Sequence, residues 1–326
     1  MSPPAFQRAE RITKRDRLAR SFPSPDATLP PSLRSFRRRQ GDGGTSRRDK
    51  RRRGRRGAPV PASALLLILC GILSASAKVS FVDPITKRLR SSGALARVAP
   101  FVVFVLLTCA QGQFGEGSRY WIYLAKTIVG AWMVWNLRPA IAEMRWTVSW
   151  EAVVAGIAVF VIWVGLDPFY PSLDQLIQQH LYPLLKSVGL GSWCGPSKPT
   201  TYWNPNAEFG RGSALAWLFV AVRIAGSSIV VPPIEEVFYR SFLYRYVAKP
   251  NFESVPLGAF LVIPFAVTAL IFGFGHHEWL AGILCACIYQ GLVCWKKRLG
   301  DAMTAHAITN FLLGVWVVWK GAWWFW

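Results

Sequence analysis

Val231-Pro232-Pro233-Ile234-Glu235-Glu236-Val237-Phe238-Tyr239-Arg240 sets two adjacent carboxylates and an arginine inside a long apolar, aromatic region. A charge withdrawn from water costs several kcal/mol unless it is paired. Prolines suit the first positions of a helix, where their missing N–H is not needed. A helix starting near Pro233 puts Glu236 and Arg240 four residues apart on one face, where they pair. It turns Glu235 about 100° away from them. One carboxylate is then neutralised and the other is left for chemistry. Acidic residues in a first helical turn can also simply complement the helix dipole, but the apolar flanks at 217–231 and 238–247 weigh against that reading.

The chain has 326 residues, is 52% hydrophobic, contains 16 Trp and carries a formal charge of +21. Residues 1–57 hold 18 Lys and Arg against 5 Asp and Glu, so +13 of that charge lies there. This is a polybasic tail on a membrane protein, not a uniformly basic protein. The expected organisation is a disordered Arg-rich tail at 1–57, a signal-like or weak transmembrane segment with a basic linker at 58–97, and a membrane domain at 98–326 with its motif core at 214–318. The tail is read as attracted to anionic lipid or as an over-extended start of translation. No aromatic residue interleaves 47–56, which argues against nucleic acid. The apolar core at 64–73 followed by Ala75-Ser76-Ala77 has the anatomy of a secretory signal. It is short for a span, which needs about 20 apolar residues, so 62–77 stays open between signal, weak span and start-site artefact.

Six cysteines, Cys70, Cys109, Cys194, Cys285, Cys287 and Cys294, form no C-x-x-C and no paired zinc-type spacing. They are expected as small core residues. No cofactor and no metal is expected.

From 98 onward, apolar stretches at 98–109, 121–137, 153–166, 214–231, 256–273, 280–293 and 303–318 are bounded by charge or proline. With the acidic helix up to 248, they imply an all-α, polytopic transmembrane helix bundle of about seven to eight spans. Arg223 is the only charge in 214–231. The polar interval 167–211 contains a capping-box pair, Ser172 and Gln175, and then leucines at helical spacing. This predicts an amphipathic helix on the membrane surface, bent by Pro183, with His180 exposed. The basic clusters Lys87 to Arg97, Arg138 with Arg145, Arg245 with Lys249, and Lys296 to Arg298 fall on one side, which the positive-inside rule makes cytoplasmic. The Trp-rich end, 316–326, is an interfacial anchor.

Apart from His180 the histidines are His276, His277 and His306. Phe272-x-x-x-His276 closes one apolar segment. His306-x-x-x-Asn310 opens another and puts both residues on one helical face. Ionisable groups within membrane segments mark function by default. His277 points elsewhere and is read as interfacial.

Glu235-Glu236-x-x-x-Arg240, Phe272-x-x-x-His276 and His306-x-x-x-Asn310, in that order within about 75 residues, resemble the CAAX-protease and bacteriocin-processing (abortive-infection) family of glutamic intramembrane proteases. The match covers roughly 214–318. The runs at 163–171 and at Val231-Pro232 further resemble a bacterial subgroup found with exosortase sorting systems. The resemblance implies a peptide hydrolase. Glu235 would accept a proton from water, and His276 would hold and polarise that water. His306 and Asn310 would donate N–H to the oxyanion. Glu236, Arg240 and Phe272 would be supports. Implied partners are a membrane protein or lipid-anchored peptide substrate, the bilayer and an exosortase-type system, with no specific nucleic acid. The implied location is the bacterial cytoplasmic membrane. A zinc-dependent membrane protease and a non-catalytic scaffold are the alternatives. One difficulty stands. An unbroken helix over 256–276 rises about 30 Å and carries His276 to the far side from His306.

Overall fold

The computed structural model describes residues 82–189 and 202–326. The tail at 1–57 and the signal-like stretch at 62–77 lie outside the described residues. Every regular element among the described residues is a helix. Helix α1 (Val82–Arg90) turns by 118° into α2 (Gly93–Cys109). Then come α3 (Ser118–Leu137) and α4 (Trp150–Leu166). Helices α5 (Leu173–Leu176) and α6 (Tyr182–Ser187) continue one another through a π turn at Ile177–Leu181, and α7 is Pro205–Phe209. Helices α8 (Ala214–Ala225), α9 (Val231–Glu236) and α10 (Tyr244–Ala248) form one continuous helix, Ala214–Ala248, with π turns at Gly226–Val230 and Val237–Leu243. Helices α11 (Val262–Phe274), α12 (Trp279–Lys296) and α13 (Gly300–Lys320) complete the chain.

Local chemistry sets the boundaries. Ser92, Ser149, Ser172 and Ser213 each precede a helix and accept the N–H of the third residue on, starting α2, α4, α5 and α8. Both bonds of the Ser172–Gln175 capping box form. A proline inside a helix clashes with the carbonyl four residues back. A π turn at 177–181 ends with one residue between it and Pro183, and another at 226–230 with one residue between it and the Pro232-Pro233 pair, whereas Pro100 lies inside α2 without one. The widened turn moves the opposed carbonyls aside. The helix expected to begin near Pro233 therefore runs straight through the prolines from Ala214.

The basic clusters meet at one end of the bundle. Arg90 Nε donates to Asn136 O at 2.8 Å, and Arg97 and Arg245 both pair with Glu143. Lys296 pairs with Glu151 at 2.7 Å, and Arg298 with Asp301 at 2.6 Å. The opposite end is aromatic, with Tyr120, Trp203, Phe209 and Trp326 in contact. Helices α2, α4, α11 and α13 run from the basic end towards the aromatic end, and α3, Ala214–Ala248 and α12 run back. Large apolar side chains such as Trp135, Val161, Ile229 and Ile263 face outward, as a bilayer requires and water does not. Among the described residues four helices, Trp150–Ser187, Ala214–Ala248, Trp279–Lys296 and Gly300–Lys320, are long and apolar enough to cross a membrane, or up to five with the bent α1–α2 pair. That criterion yields fewer than the expected seven to eight spans. It passes over α11, which is short, and α3.

Candidate active site

Helix α13 is fixed at its first turn. Asp301 is fully buried and accepts from Ser149, Thr147 and Arg298. Ser149 also caps α4, so one hydroxyl and one carboxylate tie the starts of α4 and α13 together. Farther along, Gly156 lets the two backbones touch. A Cβ there would lie 2.6 Å from Ala305 O and 2.9 Å from Ile308 Cβ. Thr309 donates across the same contact to Gly156 O at 2.8 Å and receives the Tyr289 hydroxyl at 2.7 Å. His306 sits between these ties, 5% exposed, with its ring stacked on Tyr289 at 5.4 Å.

His306 lies against the acidic motif. Its Nδ1 is 3.0 Å from Glu236 Oε1. The other carboxylate oxygen of Glu236 is 3.2 Å from Arg240 Nε. Both partners of that ion pair are almost wholly buried. The expected pairing at i, i+4 therefore forms, and the carboxylate spans two cationic or donor groups at once. Arg240 Nη1 and Nη2 have no oxygen partner among the described residues. The guanidinium lies instead over Phe272 at 4.6 Å and near Tyr239 at 5.5 Å. Glu235 points away from the pair, 16% exposed at its side chain, with Oε2 4.0 Å from His306 Nε2. That exceeds a direct hydrogen bond and is a width that one water can bridge.

His276 reaches this region because α11 is short. The segment 256–261 is not helical. Tyr244 anchors it, donating its hydroxyl to Ala259 O and accepting from Leu261 N, both at 2.8 Å. From Val262 the helix rises only about 20 Å over its 13 residues. The difficulty of an unbroken helix over 256–276, which would carry His276 to the far side, is thus removed by the late start of α11. His276 Nδ1 is 2.7 Å from Phe272 O, and its ring packs on Phe272 at 4.6 Å and Trp163 at 5.4 Å. Phe272 in turn faces His306 at 6.4 Å, so one phenyl ring spaces the two imidazoles. Glu235, His306 and Arg240 all act electrostatically on His276. Gly273 and Gly282 let α11 and α12 close on each other here: a Cβ on Gly282 would lie 2.9 Å from Gly273 Cα.

Asn310 shares the face of His306, but its Nδ2 donates to Ser227 O at 2.8 Å, a carbonyl in the π turn at Gly226–Val230. His277 is exposed. Its Nδ1 is 3.0 Å from Asp174 Oδ2, and its carbonyl accepts from Leu173 N at 2.9 Å, so it pins the start of α5 to the α11–α12 loop. His180 is exposed, as read from the sequence. Among the described residues no three of His, Cys, Asp and Glu are grouped to share a metal. Sequence reasoning missed Tyr289, which stacks on His306, and Lys126, a buried cation in α3 within electrostatic reach of Glu235. A lone lysine inside the apolar run 121–137 was the available signal.

Fold and site together define an all-helical integral membrane protein with a carboxylate–imidazole centre buried between its helices. Residues 215–312 match the family model described as type II CAAX prenyl endopeptidase Rce1-like. The matched stretch contains Glu235, Glu236, Arg240, Phe272, His276, His306 and Asn310, so the resemblance to the CAAX-protease family is borne out and supports a membrane protease. Comparison with curated proteins and with solved structures returned no match.

Proposed function

We propose that this chain is an intramembrane endopeptidase in which Glu235 activates water. The observation that carries the reading is the line Glu236–His306–Glu235, with gaps of 3.0 and 4.0 Å. Each imidazole has an acceptor on Nδ1, the Glu236 carboxylate for His306 and the Phe272 carbonyl for His276. An acceptor there keeps the proton on Nδ1 and leaves Nε2 facing the reactants. A water held by His276 Nε2 gives a proton to Glu235, and its oxygen attacks the scissile carbonyl carbon. The developing oxyanion is met by the second N–H of Asn310 and by an Nε2–H on His306, a donor role that needs a proton on both ring nitrogens, the Nδ1 one held by Glu236. The C–N bond then breaks, and the departing nitrogen takes the proton from Glu235. The Glu236–Arg240 pair holds the helix so that Glu235 is aimed.

The basic end lies in the cytoplasm by the positive-inside rule, which fits the cytoplasmic membrane of a bacterium. The substrate is a membrane-anchored or lipid-anchored peptide, and the exosortase-type sorting tail is the class favoured by the Trp163 to Pro171 and Val231-Pro232 runs. Comparing membrane proteomes of cells carrying the wild type and Glu235→Gln tests the reading. A protein that accumulates uncleaved only with the variant supports it. Identical proteomes overturn it.

A further inference from the structure

Between Glu235 and the aromatic end lies a second polar cluster that the proposed reaction leaves unused. Lys126 in α3 is 4% exposed, yet among the described residues its ammonium has one hydrogen-bond partner, the Thr108 hydroxyl at 3.0 Å. Its other neighbours are the faces of Phe104 at 4.4 Å and Tyr123 at 4.6 Å. Arg223 in α8 stacks on the same Tyr123 ring, also at 4.6 Å, and on Trp203 at 4.9 Å. The two cations therefore share one ring and repel each other. Among the described residues, Arg223 has no side-chain hydrogen bond and neither cation has a salt bridge. The indole N–H of Trp203, itself 5% exposed, is also buried without a partner among the described residues. Lys126 is within electrostatic reach of both Arg223 and Glu235.

A buried ammonium beside a guanidinium is unfavourable without a counter-charge. Aromatic faces offset only part of that. Among the described residues, the donors of Lys126, Arg223 and Trp203 are grouped around the Tyr123 ring with one acceptor, the Thr108 hydroxyl, a set that an oxygen anion would complement. We infer that Lys126, Arg223 and Trp203 form a subsite for a carboxylate carried by the peptide substrate. This inference rests on the protease reading and deepens it. The carboxylate is either the substrate's C-terminal group or an Asp or Glu side chain. It holds the peptide on the aromatic side of Glu235, so Lys126 and Arg223 position and select the substrate and do not touch the scissile bond.

The test is binding to the full chain carrying Glu235→Gln, in phosphatidylcholine nanodiscs, so that nothing is cleaved. The probes are acetyl-Leu-Val-Phe as the free acid, the same peptide as its C-terminal amide, and acetyl-Leu-Asp-Phe-amide. At least one acid probe should bind roughly ten-fold or more tighter than the amide, as a charge-assisted contact implies. Which acid binds names the source of the carboxylate. Adding Lys126→Gln or Arg223→Gln should reduce the preference to within about two-fold, and Lys126→Arg should keep it. Equal binding of acid and amide, or no binding of either acid, overturns the inference. So does a preference that survives both glutamine variants. A preference abolished by phosphatidylglycerol overturns it too, because a lipid phosphate then holds the cations. Preserved acid selectivity, in a chain whose wild type cleaves nothing in the membrane proteome, would retire the protease reading and leave the subsite standing.

Discussion

Nδ1 of His306 lies 3.0 Å from Oε1 of Glu236, a residue 70 positions away in sequence. The contact makes Glu236 more than the counter-ion of Arg240: it orients the imidazole that faces Glu235. Glu236→Gln keeps the shape and removes the charge. A partner holding an imidazole from behind typically contributes about 10–100-fold. We expect kcat for a cleaved membrane substrate to fall by that much, and KM to change little.

Arg240→Ala should act on folding first. It leaves the Glu236 carboxylate buried with one partner and opens space against Phe272, over which the guanidinium lies at 4.6 Å. Breaking one side of a buried pair costs about 3–5 kcal/mol. Thermal unfolding in nanodiscs should show a clear drop in Tm and a lower yield of inserted protein.

The approach of α4 to α13 depends on Gly156. A methyl group there would meet Ala305 O at 2.6 Å, and a backbone atom cannot rotate away. Gly156→Ala should push the helices apart, at about 1–3 kcal/mol, and move His306 off Glu235. Gly165→Ala on the same helix, where a Cβ meets nothing within 4 Å among the described residues, is the control and should be neutral in both Tm and turnover.

Acid should loosen the basic end. Glu143, in the loop between α3 and α4, pairs with Arg97 and Arg245 and accepts from Ser241. Burial opposes its ionisation, but the Ser241 hydroxyl and Arg97 outweigh that and hold its carboxyl below the usual range. A depressed folded pKa means stability that is fully present above the unfolded value, about 4, and lost as pH falls through the folded one. Tm followed from neutral pH downward should fall below about pH 4. Glu143→Gln should start lower at neutral pH and flatten that acid limb.

Much of this was legible in the sequence. The spacing of Glu236 and Arg240 specifies their pair, and Ser172 with Gln175 specifies a helix start. The charge pattern grouped the loops that meet at Glu143 and Asp301. Other features depend on long-range contacts that no local pattern encodes. The His306–Glu236 bond joins two distant segments. The late start of α11 at Val262 follows from Tyr244 anchoring 259–261, which short-range apolar periodicity cannot reveal. The π turns before Pro183 and Pro232 replaced the expected break. Lys126 and Arg223 were visible as lone charges in apolar runs, but only the fold brings both onto the ring of Tyr123.

The most direct measurement is cleavage by purified protein in nanodiscs, using a substrate identified from the membrane proteome, with wild type and Glu235→Gln compared at equal fold and insertion. The account predicts that Glu235→Gln retains its helicity and Tm and loses at least about 100-fold in kcat, the scale of a general base. Cleavage by Glu235→Gln at the wild-type rate would contradict it.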